Sequence, residues 1–220
     1  MMLISGGKAR PAGIRPTAPP ALFPSTRLGD NVMSAETKAI PPRRLANRAL
    51  PMPLKVVATV LGVVIIAASA HVAVPFWPVP MTMQSGTILL LAAVYGSGLA
   101  EATLGAYLFA GAIGLPVFAS GAGLAYLAGP TGGYLMGFFF AASLIGLCSS
   151  RGLMRGWLGT IAAFLGGVVV IYGFGLAWLA MLVGWQKAVA GGLIPFLPAE
   201  ATKLALAILL YRAGHILRGR

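Results

Sequence analysis

Between Trp157 and Val183 the chain carries no charged residue, and its apolar side chains are interrupted only by Gly, one Thr and one Tyr. An uncharged run of that length is what a helix needs to cross the roughly 30 Å hydrocarbon core of a bilayer. Other largely apolar runs, with a few charges, occupy Val56–Val74, Met83 to about Ala100, Glu101 to about Ile113, Thr131–Cys148 and Pro198 to about Leu217. The breaks between them are chemically distinct. Pro75-Phe76-Trp77-Pro78-Val79-Pro80 cannot continue a helix, and Gly96-Ser97-Gly98 suits a tight turn. Gly114–Pro130 is a Gly-rich connector, Ser149–Gly156 is a polar turn, and Gly184–Leu197 is a looser segment. The pattern predicts an all-α integral membrane bundle of six transmembrane helices over residues 54–220. With 58% hydrophobic and 9% charged residues in 220, no room remains for a separate soluble catalytic domain.

The formal charge of +12 would suggest nucleic acid if it formed a continuous face, but its distribution argues otherwise. Nine of the 16 basic residues fall between Lys8 and Lys55, scattered among prolines from Pro11 to Pro53 with a single aromatic, Phe23, among them. Residues 1–53 therefore read as a disordered, basic, Pro-rich tail, and nucleic acid is not expected as a partner. Met33 opens Met-Ser-Ala-Glu-Thr-Lys, which has the character of a natural start, so residues 1–32 are expected to be either dispensable or an artefact of start-codon assignment. Arg151 and Arg155 lie in the polar turn, and Arg212, Arg218 and Arg220 at the C-terminal end. With the tail, they belong on one side of an even number of spans. The excess of cations in cytoplasmic loops then puts both termini in the cytoplasm of a multi-pass protein of the bacterial inner membrane.

Two cations, Lys187 and Lys203, fall at the outer side, and Lys203 is the anomaly. Pro198 suits a first helical turn, which places Glu200 where the helix dipole favours a carboxylate, with Lys203 on the same face one turn on. Ionisable groups at membrane depth usually face a bundle interior or a wet cavity, so the pair is a candidate binding site. The competing reading is an ion pair that caps the last helix and snorkels to the interface. Glu101 reads as the start of the third helix. His71 is expected to bond a neighbouring loop, and His215 belongs to the basic end. One cysteine, Cys148, allows neither an internal disulfide nor a multi-Cys metal site, and no metal site is expected. The chain has no phosphate-binding loop, His-Glu-x-x-His or Gly-x-Ser-x-Gly, which argues against ATPase, metalloprotease and hydrolase chemistry. No catalytic residue is expected. A small bundle with one polar spot suggests a membrane subunit that binds a small molecule.

Four segments carry a resemblance: Val79-Pro80-Met81-Thr82-Met83-Gln84, Gly111 to Ala119 with Gly-Leu-Pro-Val-Phe, Gly129-Pro130-Thr131-Gly132-Gly133-Tyr134 to Phe138, and Pro195 to Lys203. In this order, over about 56–215, the chain resembles the BioY family, the biotin-binding membrane subunits of energy-coupling factor transporters. One departure is Ala199-Glu200, where the family usually has Gly-Asp, so the carboxylate stands one methylene further out. The resemblance implies high-affinity biotin uptake with no cofactor. Biotin offers two ureido N–H donors, a ureido oxygen, an apolar bicycle and a carboxylate. Glu200 would accept from the ureido N–H groups and Lys203 would donate to the ureido oxygen or pair with the biotin carboxylate, the ureido end being preferred for both, with Gln84, Tyr134 and Thr131 as further polar candidates. Phe118 would form an apolar lid, and Gly121 and Gly123 would let the backbone approach the bicycle; Thr131 could equally serve only as a helix cap. The family implies membrane lipid, a transmembrane coupling protein and ATPase subunits as partners, or action as a homo-oligomer without a motor. Ala58 and Gly62 would provide a small-residue face for coupling. Binding of a different vitamin, or a scaffold role without a ligand, are the alternatives that the residues leave open.

Overall fold

The computed structural model describes residues 50–218, so the tail reading for 1–53 and the start at Met33 fall almost wholly outside the described residues. The described chain is mostly helical. In order it forms α1 (Met52–His71), β1 (Ala73–Val74), β2 (Met81–Thr82), α2 (Gln84–Tyr95), α3 (Leu99–Ala112) and α4 (Gly123–Leu127). There follow α5 (Gly132–Ser150), α6 (Trp157–Val183), α7 (Trp185–Gly192), a 3-10 turn (Ile194–Phe196) and α8 (Leu197–Arg218).

The first apolar run does not remain helical to Val74. It stops at His71, and Ala73 and Val74 pair antiparallel with Thr82 and Met81, so the proline-rich stretch becomes the loop of a short hairpin. Prolines cannot donate ladder hydrogen bonds, which confines the pairing to the two residues on either side. His71 bonds within its own helix, Nδ1 to the Ala67 carbonyl at 2.8 Å, rather than to a loop. The tight turn between α2 and α3 forms at Gly96 and Gly98, both with positive φ, and Glu101 lies in the first turn of α3.

Four helical segments are long and apolar enough to cross a bilayer: Met52–His71, Gly132–Ser150, Trp157–Val183 and Trp185–Leu217. The expected second and third spans form shorter apolar helices of 12 and 14 residues. These two are nevertheless central. α2 buries Gln84, Ser85, Gly86, Ile88, Leu89, Ala92 and Ala93, and packs against α1, α5 and α8.

Helices in lipid gain little from hiding apolar surface, so close backbone approach sets their packing. The α5–α6 contact is built this way. A Cβ at Gly137 would stand 2.8 Å from the Ile171 carbonyl oxygen, and one at Gly133 2.6 Å from that of Phe174. α1 is peripheral: 11% of its apolar window is buried, against 56% for Gly132–Ser150. Its outer face presents Val56, Val57, Val60, Leu61, Val64 and Ile65. Gly62 is not part of that face. It is buried against Thr103, Leu91 and Tyr95, so it packs the bundle internally and is not available to a partner.

Candidate ligand-binding site

The N-terminal turns of α8 and α2 meet at the most polar spot of the interior. Glu200 and Lys203 form an ion pair, Nζ to Oε2 at 2.8 Å, with side chains only 6% and 9% exposed. The pair faces the bundle interior instead of snorkelling outward. Gly86 on α2 makes room for it, since a Cβ there would come 3.2 Å from the Lys203 Cβ.

The ammonium of Lys203 has three N–H groups and three acceptors. Besides Glu200 Oε2, it donates to the Thr82 carbonyl at 3.0 Å and to Ser85 Oγ at 2.9 Å. Ser85 passes a proton onward, donating to Glu200 Oε2 at 3.0 Å, and the Tyr172 hydroxyl donates to the same oxygen at 3.3 Å. Oε2 thus takes three donors. Oε1 is buried and takes none among the described residues. An unmatched carboxylate oxygen out of water is costly, and it is the site's one strong acceptor left open.

Around this pair a cavity of about 50 Å³ is lined by polar residues Thr82, Gln84, Ser85 and Thr131, and by Val79, Phe118, Tyr126, Tyr134, Phe138, Tyr172 and Phe196 among others. Gln84 is buried and donates to the Tyr107 hydroxyl at 2.7 Å; that hydroxyl donates to the Val117 carbonyl at 3.1 Å. This relay ties the connector to the bundle. Phe118, 1% exposed, stacks on Tyr126 at 5.1 Å and meets Tyr107 edge-on at 5.5 Å. Tyr134 lines the cavity while its hydroxyl donates to the Gly192 carbonyl at 2.8 Å, so its one proton is used within the protein.

Of the residues singled out from sequence, the structure therefore brings together Glu200, Lys203, Gln84, Tyr134, Phe118 and Thr131. Thr131 stands at the N-cap position of α5 but in helical conformation, with no side-chain capping bond. Gly121 and Gly123 do not line the cavity. Gly121 admits the Tyr126 ring, to which a Cβ would be 2.5 Å distant, and Gly123 starts α4 with φ +83°. Their role here is to fold the connector back on itself. Sequence reasoning missed Ser85 and Tyr172. Ser85 extends the polar run Thr82–Gln84, and Tyr172 is the lone Tyr inside the apolar α6, so both left a trace.

A bundle of apolar helices around a buried, incompletely satisfied polar cavity defines an integral membrane protein built to receive a small molecule. The BioY family matches over residues 43–220, and the chain belongs to that family. A biotin transporter BioY of Thermotoga maritima is 36% identical over 66% of this chain and 86% of its own length. A probable biotin transporter BioY of Pyrococcus horikoshii is 37% identical over 68% of this chain and 89% of its own length. Among solved structures, the S-component for biotin from an ECF-type ABC transporter superimposes with a TM-score of 0.66 at 25% identity, covering 78% of this chain and 96% of that one.

Proposed function

We propose that this chain binds biotin at the Glu200–Lys203 cavity and carries it across the membrane. The observation that carries the reading is Glu200 Oε1, a buried carboxylate oxygen without a donor beside an ammonium whose donors are all engaged. The ureido ring supplies the missing N–H groups, and its oxygen replaces the Thr82 carbonyl on Lys203. Phe118, Phe138 and Tyr172 then enclose the apolar bicycle. Gln84, Tyr134 and Thr131 complete the wall.

Pockets that hold small molecules measure roughly 300 Å³ or more, so the 50 Å³ cavity has to widen. The connector is the wall suited to move: it holds Phe118 and Tyr126 through few bonds, chiefly Tyr107 to Val117. Six helices cross the bilayer in this reading, α1, α2, α3, α5, α6 and α8. α2 and α3, at 1.5 Å per residue, span only about 18 and 21 Å, and the bilayer thins or the flanking hairpin dips to meet them. Both termini lie in the cytoplasm of a bacterial inner-membrane protein, as the basic residues favour. The chain performs no covalent step; a transmembrane coupling protein and ATPase subunits drive release inward, and the exposed face of α1 is the surface offered to them.

Equilibrium binding of labelled biotin, thiamine and riboflavin to the purified chain in detergent tests the reading. Saturable binding of biotin alone is expected. Binding of another vitamin in its place would reassign the ligand, and binding of none would leave a scaffold.

A further inference from the structure

The loop between α5 and α6 and the facing end of α8 gather three arginines. Arg212 of α8 donates from Nη1 to the Arg155 carbonyl, and its guanidinium lies 4.9 Å above the Trp157 ring. Gly152, with φ +73°, folds the loop so that the Arg155 guanidinium lies over it; a Cβ there would stand 3.0 Å from Arg155 Nε. Arg151 and Arg155 are exposed. No carboxylate pairs with any of the three among the described residues, and Arg212 Nε is buried without a partner. Arg155 and Arg212 are thus fixed at one loop, with the exposed Arg151 at its start, and cations gathered at so short a segment favour an anion beside them.

The chemistry of the surroundings selects the kind of anion. The same loop and the first turn of α6 expose Leu153, Trp157 and Leu158, the last 82% exposed, beside the arginines. Cations flanked by exposed apolar side chains and a Trp suit an amphiphile at the bilayer interface, with its phosphate on the guanidinium groups and its chains along the leucines.

We propose that this loop and the end of α8 form a headgroup site for an anionic phospholipid. The site is separate from the Glu200–Lys203 cavity, and its test does not depend on which ligand that cavity takes. Thermal melting of the full chain in mild detergent is followed as phosphatidylglycerol, phosphatidylcholine or inorganic phosphate is added. Phosphatidylglycerol is expected to stabilise the protein saturably, and the other two not. In the R151Q/R155Q variant, whose altered side chains make no hydrogen bond among the described residues, the half-saturating lipid concentration is expected to rise about 25-fold, at roughly fivefold per arginine. Arg212→Gln, which also loses the bond to the loop, serves as a second variant with a rise of the same sign. An equal response to phosphatidylcholine, an equal response to inorganic phosphate, or a wild-type response from R151Q/R155Q would each overturn the proposal.

Discussion

Lys203 Nζ lies 2.8 Å from Glu200 Oε2, one turn earlier on the same helix, and both side chains are buried against α2. Neither charge is stable there alone. Removing one partner of a buried pair leaves an uncompensated charge and costs about 3–5 kcal/mol, whereas neutralising both is far milder. Lys203→Met is therefore expected to lower the melting temperature sharply, and the double variant K203M/E200Q to recover most of that loss. Neither is expected to bind biotin. Melting curves and binding isotherms on the three proteins check the two halves of the statement separately.

Ser85 and Tyr172 hold the carboxylate by donating to Oε2. A hydrogen bond to a charged group contributes about 1.5–3 kcal/mol, so Tyr172→Phe should weaken biotin binding about tenfold to a hundredfold. Ser85→Ala removes an acceptor from Lys203 as well and should weaken it at least as much. Titration calorimetry measures both.

The relay from Gln84 through the Tyr107 hydroxyl to Val117 fastens the connector that carries Phe118. Tyr107→Phe keeps the ring packing and deletes both hydrogen bonds of the relay, each worth about 1 kcal/mol. Stopped-flow release of labelled biotin should be about fivefold faster from loss of the Val117 bond, with insertion unchanged and the melting temperature lowered by a few degrees.

Close packing of α5 on α6 depends on the absence of side chains at Gly133 and Gly137. Gly137→Val forces the helices apart, and overpacking of this kind typically costs about 1–3 kcal/mol or more. A lower melting temperature is expected. Gly105→Ala, on α3 with open space around the new methyl, is the matched control and should be neutral or slightly stabilising.

The long apolar helices and the ion pair were legible because their signals are local. Trp157–Val183 forms α6 over the expected residues, and the spacing of three between Glu200 and Lys203 brings them to one face. The hairpin was not legible, since two-residue strands leave no periodicity and the prolines between them hide the pairing of Ala73 with Thr82. Gly62 looked outward from sequence because small-residue spacing does not say which helix it admits; Thr103 of α3 decides that. Tyr172 was passed over for a similar reason. One hydroxyl in a long apolar helix declares its partner only when α8 brings Glu200 to it.

The central claim is that the open oxygen of Glu200 receives the ureido N–H groups of biotin. Glu200→Gln keeps the shape of the side chain and removes the charge, and in one rotamer it turns an N–H toward the ligand's own donors. Equilibrium binding of radiolabelled biotin to the purified wild-type chain and to this variant tests the claim most directly. Saturable binding by the wild type and at least a hundredfold weaker binding by a folded E200Q protein is the expected result; equal affinity of the two would contradict it.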